Sequence, residues 1–187
     1  FDKLDKLKKN DTLILAGSIP NTLPEDIYEK ILERLSGKGI RFVVDATKDL
    51  LVNVLKYKPW LIKPNNFELG EIFGIEISKK DDIIFYAKEL QKKGAVNVLV
   101  SMAGEGSILL DENGKAHIMG VPDGKAVNSV GAGDSMVAGF IAGYAEKADY
   151  DYALRLGTAS GSATAFSEGL AEKELINRLM KNIKSEK

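Results

Sequence analysis

Through its first hundred residues the chain alternates short apolar runs with longer stretches of helical periodicity, and few folds accommodate that order. "TLILAGSIP" (12–20) is an apolar run stopped by Gly, Ser and Pro, which predicts a buried strand and a turn. "LPEDIYEKILERLSGKG" (23–39) opens with Pro and two acids, carries apolar residues at 27, 31, 32 and 35, and ends on Gly37 and Gly39, so it predicts a helix. "RFVVDA" predicts a second buried strand, "TKDLLVNVLKY" a short helix capped by Thr47, and "PWLIKPN" a third strand. "NFELGEIFG" and "KKDDIIFYAKELQKKG" predict helices, the second ending at Gly94. A strand without polar alternation is covered on both faces, and helical crossovers between such strands make them parallel. The expected fold class is therefore α/β, one domain with a mostly parallel sheet covered by helices on both faces. "AVNVLVSMAGEGSILLDENGKAHIMG" then predicts a strand, a glycine turn and two strands around "ENGK"; the rest is expected to be helical, over 133–146, 149–166 and 171–184.

Bulk composition narrows the function classes. At 187 residues and 44% hydrophobic content the chain suits one globular domain. The net charge is −1, with acids and bases interspersed. Neither a basic field for nucleic acid nor a cationic amphipathic helix for a membrane surface is present. The absence of cysteine excludes disulfides, thiolate catalysis and Cys-based metal sites, and fits a reducing compartment. No apolar run approaches the length of a membrane span. The opening "FDKLDKLKKN" is charged, unlike a signal peptide, and reads like the tail of a helix without an initiator Met. That is the pattern expected of a piece of a longer protein.

In open α/β sheets ligands sit beyond the carboxyl ends of the strands, so the segments after the strands are the candidates: "GSIP", "DATKD", "KPNNFE", "SMAGEG" and "SVGAGD". In the last, a glycine turn feeds a helix whose first N–H groups lack intrahelical partners, an arrangement that suits an anion such as phosphate. Asp134 at that turn can accept a proton from a substrate hydroxyl while the N–H groups stabilise a transferring phosphoryl group; it can equally be only an N-cap or a first-turn acid. The apolar stretch after it fits a largely buried helix, with Gly139 and Gly143 on one face permitting close approach of another element.

The other segments also carry two readings. Asn65 and Glu68, three apart at a helix start, fit a capping pair or a carboxylate and amide that organise Mg²⁺ and its waters. Lys63 can face phosphate or solvent. In "SMAGEG" the glycines can let a base or ribose lie on the backbone or merely make the turn. Asp45 and Lys48 can touch a sugar phosphate or pair with each other. "GDS" invites a serine-esterase reading with Ser135 as nucleophile. The single histidine, His117, is expected to be exposed in a hairpin, and no G-x-S-x-G elbow exists, which counts against a triad. No dinucleotide fingerprint or Walker A pattern is present.

Taken together, "NSVGAGDSMVAGF", "KPNNFE", "SMAGEG" and "GSIP", in their order along the chain, resemble the ribokinase-like sugar kinases of the phosphofructokinase B family. The resemblance implies a three-layer α/β/α sandwich. It implies Asp134 as catalytic base and the N–H groups of Gly131, Ala132 and Gly133 as the anion hole. It places Ser101, Met102, Ala103, Gly104, Glu105, Gly106, Gly133 and Asp134 at the ATP site. Ser160, in "TASGSATAFSEGL", is similar to that family's late nucleotide-side helix. Asn65 and Glu68 correspond to its Mg²⁺-serving N-x-x-E motif. The reaction implied is ATP-dependent phosphorylation of a phosphorylated ketose, fructose 1-phosphate first and tagatose 6-phosphate next, in the cytoplasm. Residues 1–187 would be the carboxy-terminal, nucleotide-binding portion, without the amino-terminal part and its lid, through which family members often form homodimers. Asn128-Ser129-Val130 stands where many relatives carry an aspartate tied to a potassium site, so no monovalent-cation requirement is expected. A nucleotide-binding module without turnover is the alternative.

Overall fold

The computed structural model describes residues 1–186. The chain divides into two compact units, Phe1–Val100 and Ser101–Lys187. The first carries β1 (Thr12–Ala16), α1 (Ile27–Leu35), β2 (Arg41–Asp45), α2 (Lys48–Val54), β3 (Leu61–Ile62), α3 (Asn66–Phe73), α4 (Lys80–Lys93) and β4 (Asn97–Ser101), whose last residue lies at the boundary. The strands pair in chain order, all parallel, with Thr12 opposite Arg41, Val43 opposite Leu61 and Leu61 opposite Asn97. Val43 and Val44 in β2 and Val98, Leu99 and Val100 in β4 are fully buried, as continuous apolar runs in central parallel strands require.

Three local expectations change here. In β1 only Leu15 is buried, and Ile14 is 46% exposed. Within the described residues the strand pairs with β2 alone, and its apolar run is not enclosed by them. The third strand shrinks to Leu61–Ile62 because Pro59 and Pro64 flank it and proline donates no ladder bond. Thr47 occupies the N-cap position of α2, but its hydroxyl makes no cap bond.

The second unit carries β5 (Ser107–Leu110), β6 (Ala116–Met119), α5 (Ala132–Lys147), α6 (Tyr150–Ala165), α7 (Lys173–Met180) and β7 (Ser185–Glu186). Its three strands are antiparallel, Ser107 opposite Met119 and Met119 opposite Ser185. The helix expected over 171–184 stops at Met180, and β7 follows. A two-residue strand exists only by pairing with β6, so no local pattern announces it. Between α5 and α6 the expected close approach is present. A Cβ on Gly139 would lie 2.8 Å from the Leu156 carbonyl oxygen and overlap the Ser160 hydroxyl, and one on Gly143 would lie 2.9 Å from Ala153 Cα.

Candidate functional site

The turn into α5 starts from a backbone conformation. Gly131 has φ +78°, a left-handed geometry that glycine adopts without steric cost. A Cβ there would also press to 3.1 Å from Leu170 Cδ2. With glycine as N-cap, α5 has no side chain to cap it, and none does. Asp134 stands in the first turn with its side chain exposed, and among the described residues its carboxylate makes no hydrogen bond or ion pair. Gly131, not Asp134, holds the N-cap position, and Asp134 is an acid of the first turn.

The donors around it differ from the expected set at one position. The Ala132 N–H donates to the Ser129 carbonyl at 3.2 Å, which closes the turn and occupies that donor. The N–H groups of Gly131, Gly133 and Asp134 itself donate to no protein group among the described residues. Sequence reasoning missed the Asp134 N–H because turn closure, not composition, selects which amides are spent. The loop before the turn is fixed from α6. Val127 and Asn128 N–H groups donate to the Ala165 carbonyl at 2.7 and 3.1 Å, and Asn128 Nδ2 donates to the Glu168 carbonyl at 3.0 Å.

The segment Ser101–Gly106 is a tight turn. The Met102 N–H donates to the Gly106 carbonyl at 2.9 Å, and Ala103–Glu105 form one 3-10 turn. Met102 is buried, whereas Ala103, Gly104 and Glu105 face solvent. Gly106 serves the chain itself, since a Cβ there would overlap the Met119 carbonyl oxygen; Gly104 is open. Ser160 is buried in α6 and its hydroxyl donates to the Leu156 carbonyl at 2.8 Å.

In the first unit, Asn65 and Glu68 form a complete capping box at the start of α3. Asn65 Oδ1 accepts the Glu68 N–H, and Glu68 Oε2 accepts the Asn65 N–H, each at 2.8 Å. The box uses one Glu68 oxygen and leaves Oε1 for another partner. No cluster of three or more His, Cys, Asp or Glu side chains suited to a metal occurs among the described residues. One half-buried carboxylate oxygen fits Mg²⁺, which keeps several waters and takes few protein ligands. Lys63 faces neither solvent nor an open loop: it is buried, with Nζ 3.2 Å from Asp45 Oδ1. Asp45 thus pairs with Lys63 rather than Lys48, whose Nζ lies 3.9 Å from Glu71.

His117 is buried, not exposed. Its Nδ1 lies 2.9 Å from Asp151 Oδ1 and its Nε2 2.9 Å from Asp111 Oδ2. Ser135 Oγ accepts instead from the Thr164 hydroxyl at 2.9 Å. With both ring nitrogens facing carboxylates and the serine bonded elsewhere, the esterase triad is ruled out. No helix among the described residues is long and apolar enough to cross a membrane.

Comparison with known proteins gives a consistent result. The family model of the pfkB family carbohydrate kinases matches residues 1–176. A 1-phosphofructokinase of Bacillus subtilis (strain 168) is 45% identical over 184 residues, covering 98% of this chain and 60% of that protein. A D-tagatose-1-phosphate kinase of Bacillus licheniformis is 33% identical over 173 residues, covering 92% of this chain and 57% of that protein. Among solved structures, a candidate phosphofructokinase from Staphylococcus aureus superposes with a TM-score of 0.92 at 37% identity, covering 99% of this chain and 60% of that one. Arabidopsis thaliana ribokinase, solved with ribose and ATP, gives 0.74 at 21% identity over 91% of this chain and 55% of its own, a likeness of fold. The chain spans about 60% of the length of these relatives.

Proposed function

Because this chain belongs to the pfkB family of carbohydrate kinases and has the ribokinase-like α/β fold, we propose that its full-length protein phosphorylates a sugar phosphate with ATP, with Asp134 as the general base. The observation that carries the proposal is the Asp134 carboxylate, which is exposed, spent on no cap, and set in a first turn whose Gly131, Gly133 and Asp134 N–H groups are unpaired among the described residues. Asp134 takes the proton from the acceptor hydroxyl as its oxygen attacks the γ-phosphorus, and the free N–H groups meet charge on the transferring group. The exposed turn Ala103–Glu105 supports a nucleotide-side surface. Glu68 Oε1 is the group read as serving Mg²⁺, with Asn65 holding Glu68 in place through the box. When bound, Mg²⁺ would neutralise phosphate charge.

The acceptor proposed is fructose 1-phosphate, giving fructose 1,6-bisphosphate. The two relatives are named for fructose and tagatose carrying phosphate at carbon 1, which makes tagatose 1-phosphate the competing acceptor in place of tagatose 6-phosphate. In both ketohexose 1-phosphates the primary hydroxyl left to react is at carbon 6. Residues 1–187 are read as the nucleotide-binding portion of that kinase. The 60% coverage gives a second reading some footing: this chain alone binds MgATP without turnover.

The test is Asp134→Asn in the full-length gene product. Turnover of fructose 1-phosphate should fall on the order of 10²–10⁴-fold, while calorimetry still detects MgATP. Turnover near wild type would remove Asp134 as base. MgATP binding to residues 1–187 without turnover would select the second reading for the isolated chain.

A further inference from the structure

Thr164 is the last residue but one of α6, is 1% exposed, and both functions of its hydroxyl are used. Its Oγ1 donates to Ser135 Oγ at 2.9 Å and accepts the Ala171 N–H at 3.3 Å. Ser135 is the residue after Asp134 in the first turn of α5. Ala171 follows Leu170, whose Cδ2 stands 3.1 Å from where a Gly131 Cβ would be; Thr164 Cγ2 stands 4.0 Å from the same point. The hydroxyl therefore joins the turn that carries Asp134 to the segment lying over Gly131. Next to it, the Ala165 carbonyl accepts the Val127 and Asn128 N–H groups and fixes the loop leading into that turn.

We infer that Thr164 is a positioning residue for Asp134. It acts through Ser135, and the inference rests on Asp134 being the base. A buried hydroxyl with two partners resists displacement, because moving it leaves a donor or acceptor unsatisfied. Asp134 has no such anchor of its own, since a base must keep its carboxylate free for the substrate. Its aim is set by the turn, and the turn is tied at Ser135. One turn earlier on α6 the two helices approach closely, since a Cβ on Gly161 would lie 3.0 Å from the Ala132 carbonyl oxygen.

The test compares Thr164→Val, which keeps the shape and removes the hydroxyl, with Thr164→Ser, which keeps the hydroxyl, in the full-length gene product. Thr164→Val should lower kcat on the order of tenfold to a hundredfold, as expected for a displaced catalytic group, with KM for ATP changed less than twofold; Thr164→Ser should restore at least half of kcat. Amide hydrogen exchange should quicken at Ser135, whose N–H donates to the Gly131 carbonyl at 2.9 Å, in Thr164→Val and not in Thr164→Ser, a readout that does not need turnover. Asp134→Asn is measured beside them. If it stays active, the base assignment fails whatever Thr164 does. If it is inactive while Thr164→Val keeps full kcat and unchanged exchange at the Ser135 N–H, the positioning inference is overturned. Equal loss of kcat in both Thr164 variants, in step with their melting temperatures, overturns it as well.

Discussion

Asp134 and Glu68 are both acids in the first turn of a helix, and what separates them is the residue three places earlier. Asn65 has an amide that accepts the Glu68 N–H, so Glu68 returns the bond and closes the box. Gly131 has no side chain, so Asp134 has nothing to reciprocate and stays free. The contrast yields a test of what Glu68 does. Glu68→Gln keeps an acceptor for the Asn65 N–H and removes the charge. Stability should change by less than about 1 kcal/mol, while the Mg²⁺ concentration for half-maximal activity should rise on the order of 10–100-fold. Glu68→Ala should lose about 1 kcal/mol of stability in addition. If Glu68→Gln leaves the Mg²⁺ dependence unchanged, Glu68 is a cap alone.

At the scale of elements, α5 buries one face only, through Met136, Val137, Gly139, Phe140 and Gly143, while Ala138 and Ala142 are exposed, so the helix is not largely buried as its apolar run suggested; its glycines are the cause of its packing. Gly139 and Gly143 on α5 meet Ser160, Leu156 and Ala153 on α6 at distances that leave no room for a methyl group. Glycine costs a helix about 1 kcal/mol relative to alanine, so Gly139→Ala should stabilise α5 taken alone. In the folded chain the added methyl overlaps the Ser160 hydroxyl, and overpacking costs about 1–3 kcal/mol. The net expectation is a lower midpoint in denaturant unfolding, together with lower activity as the α5 turn shifts. A raised midpoint would mean that the two helices separate without cost. Ser160, proposed from resemblance for the nucleotide side, stands in this interface with its hydroxyl bonded to its own helix.

For the molecule as a whole, acid stability should depend on Asp111. Burial raises this carboxyl, but His117 beside it and the N–H groups of Lys115 and Asn113 outweigh that and hold it below the ordinary aspartate value. A depressed folded-state value contributes stability above the unfolded-state value, and that contribution is lost as pH falls through the folded one. Unfolding free energy should therefore drop on acidification below the ordinary aspartate range, and Asp111→Asn should flatten that drop while costing about 1–3 kcal/mol at neutral pH. Identical acid slopes for the two proteins would show that other carboxylates govern it. None of this was legible in "DENGKAHIM", where His117 read as exposed. The hairpin was legible, because Asn-Gly and the flanking apolar residues act locally. The clamp on His117 was not, because Asp151 comes from a helix 34 residues away in the chain. The same division holds throughout. By itself the sequence determined the alternation of strands and helices, the glycine turn before Asp134 and the small-residue face of α5, since periodicity and backbone freedom are properties of neighbouring residues. Tertiary structure alone decided that Lys63 pairs with Asp45, that a strand follows α7, and that Ala132 rather than Asp134 spends its N–H on the turn. Each of these depends on which distant group, or which closure of the chain, reaches a donor or a face first.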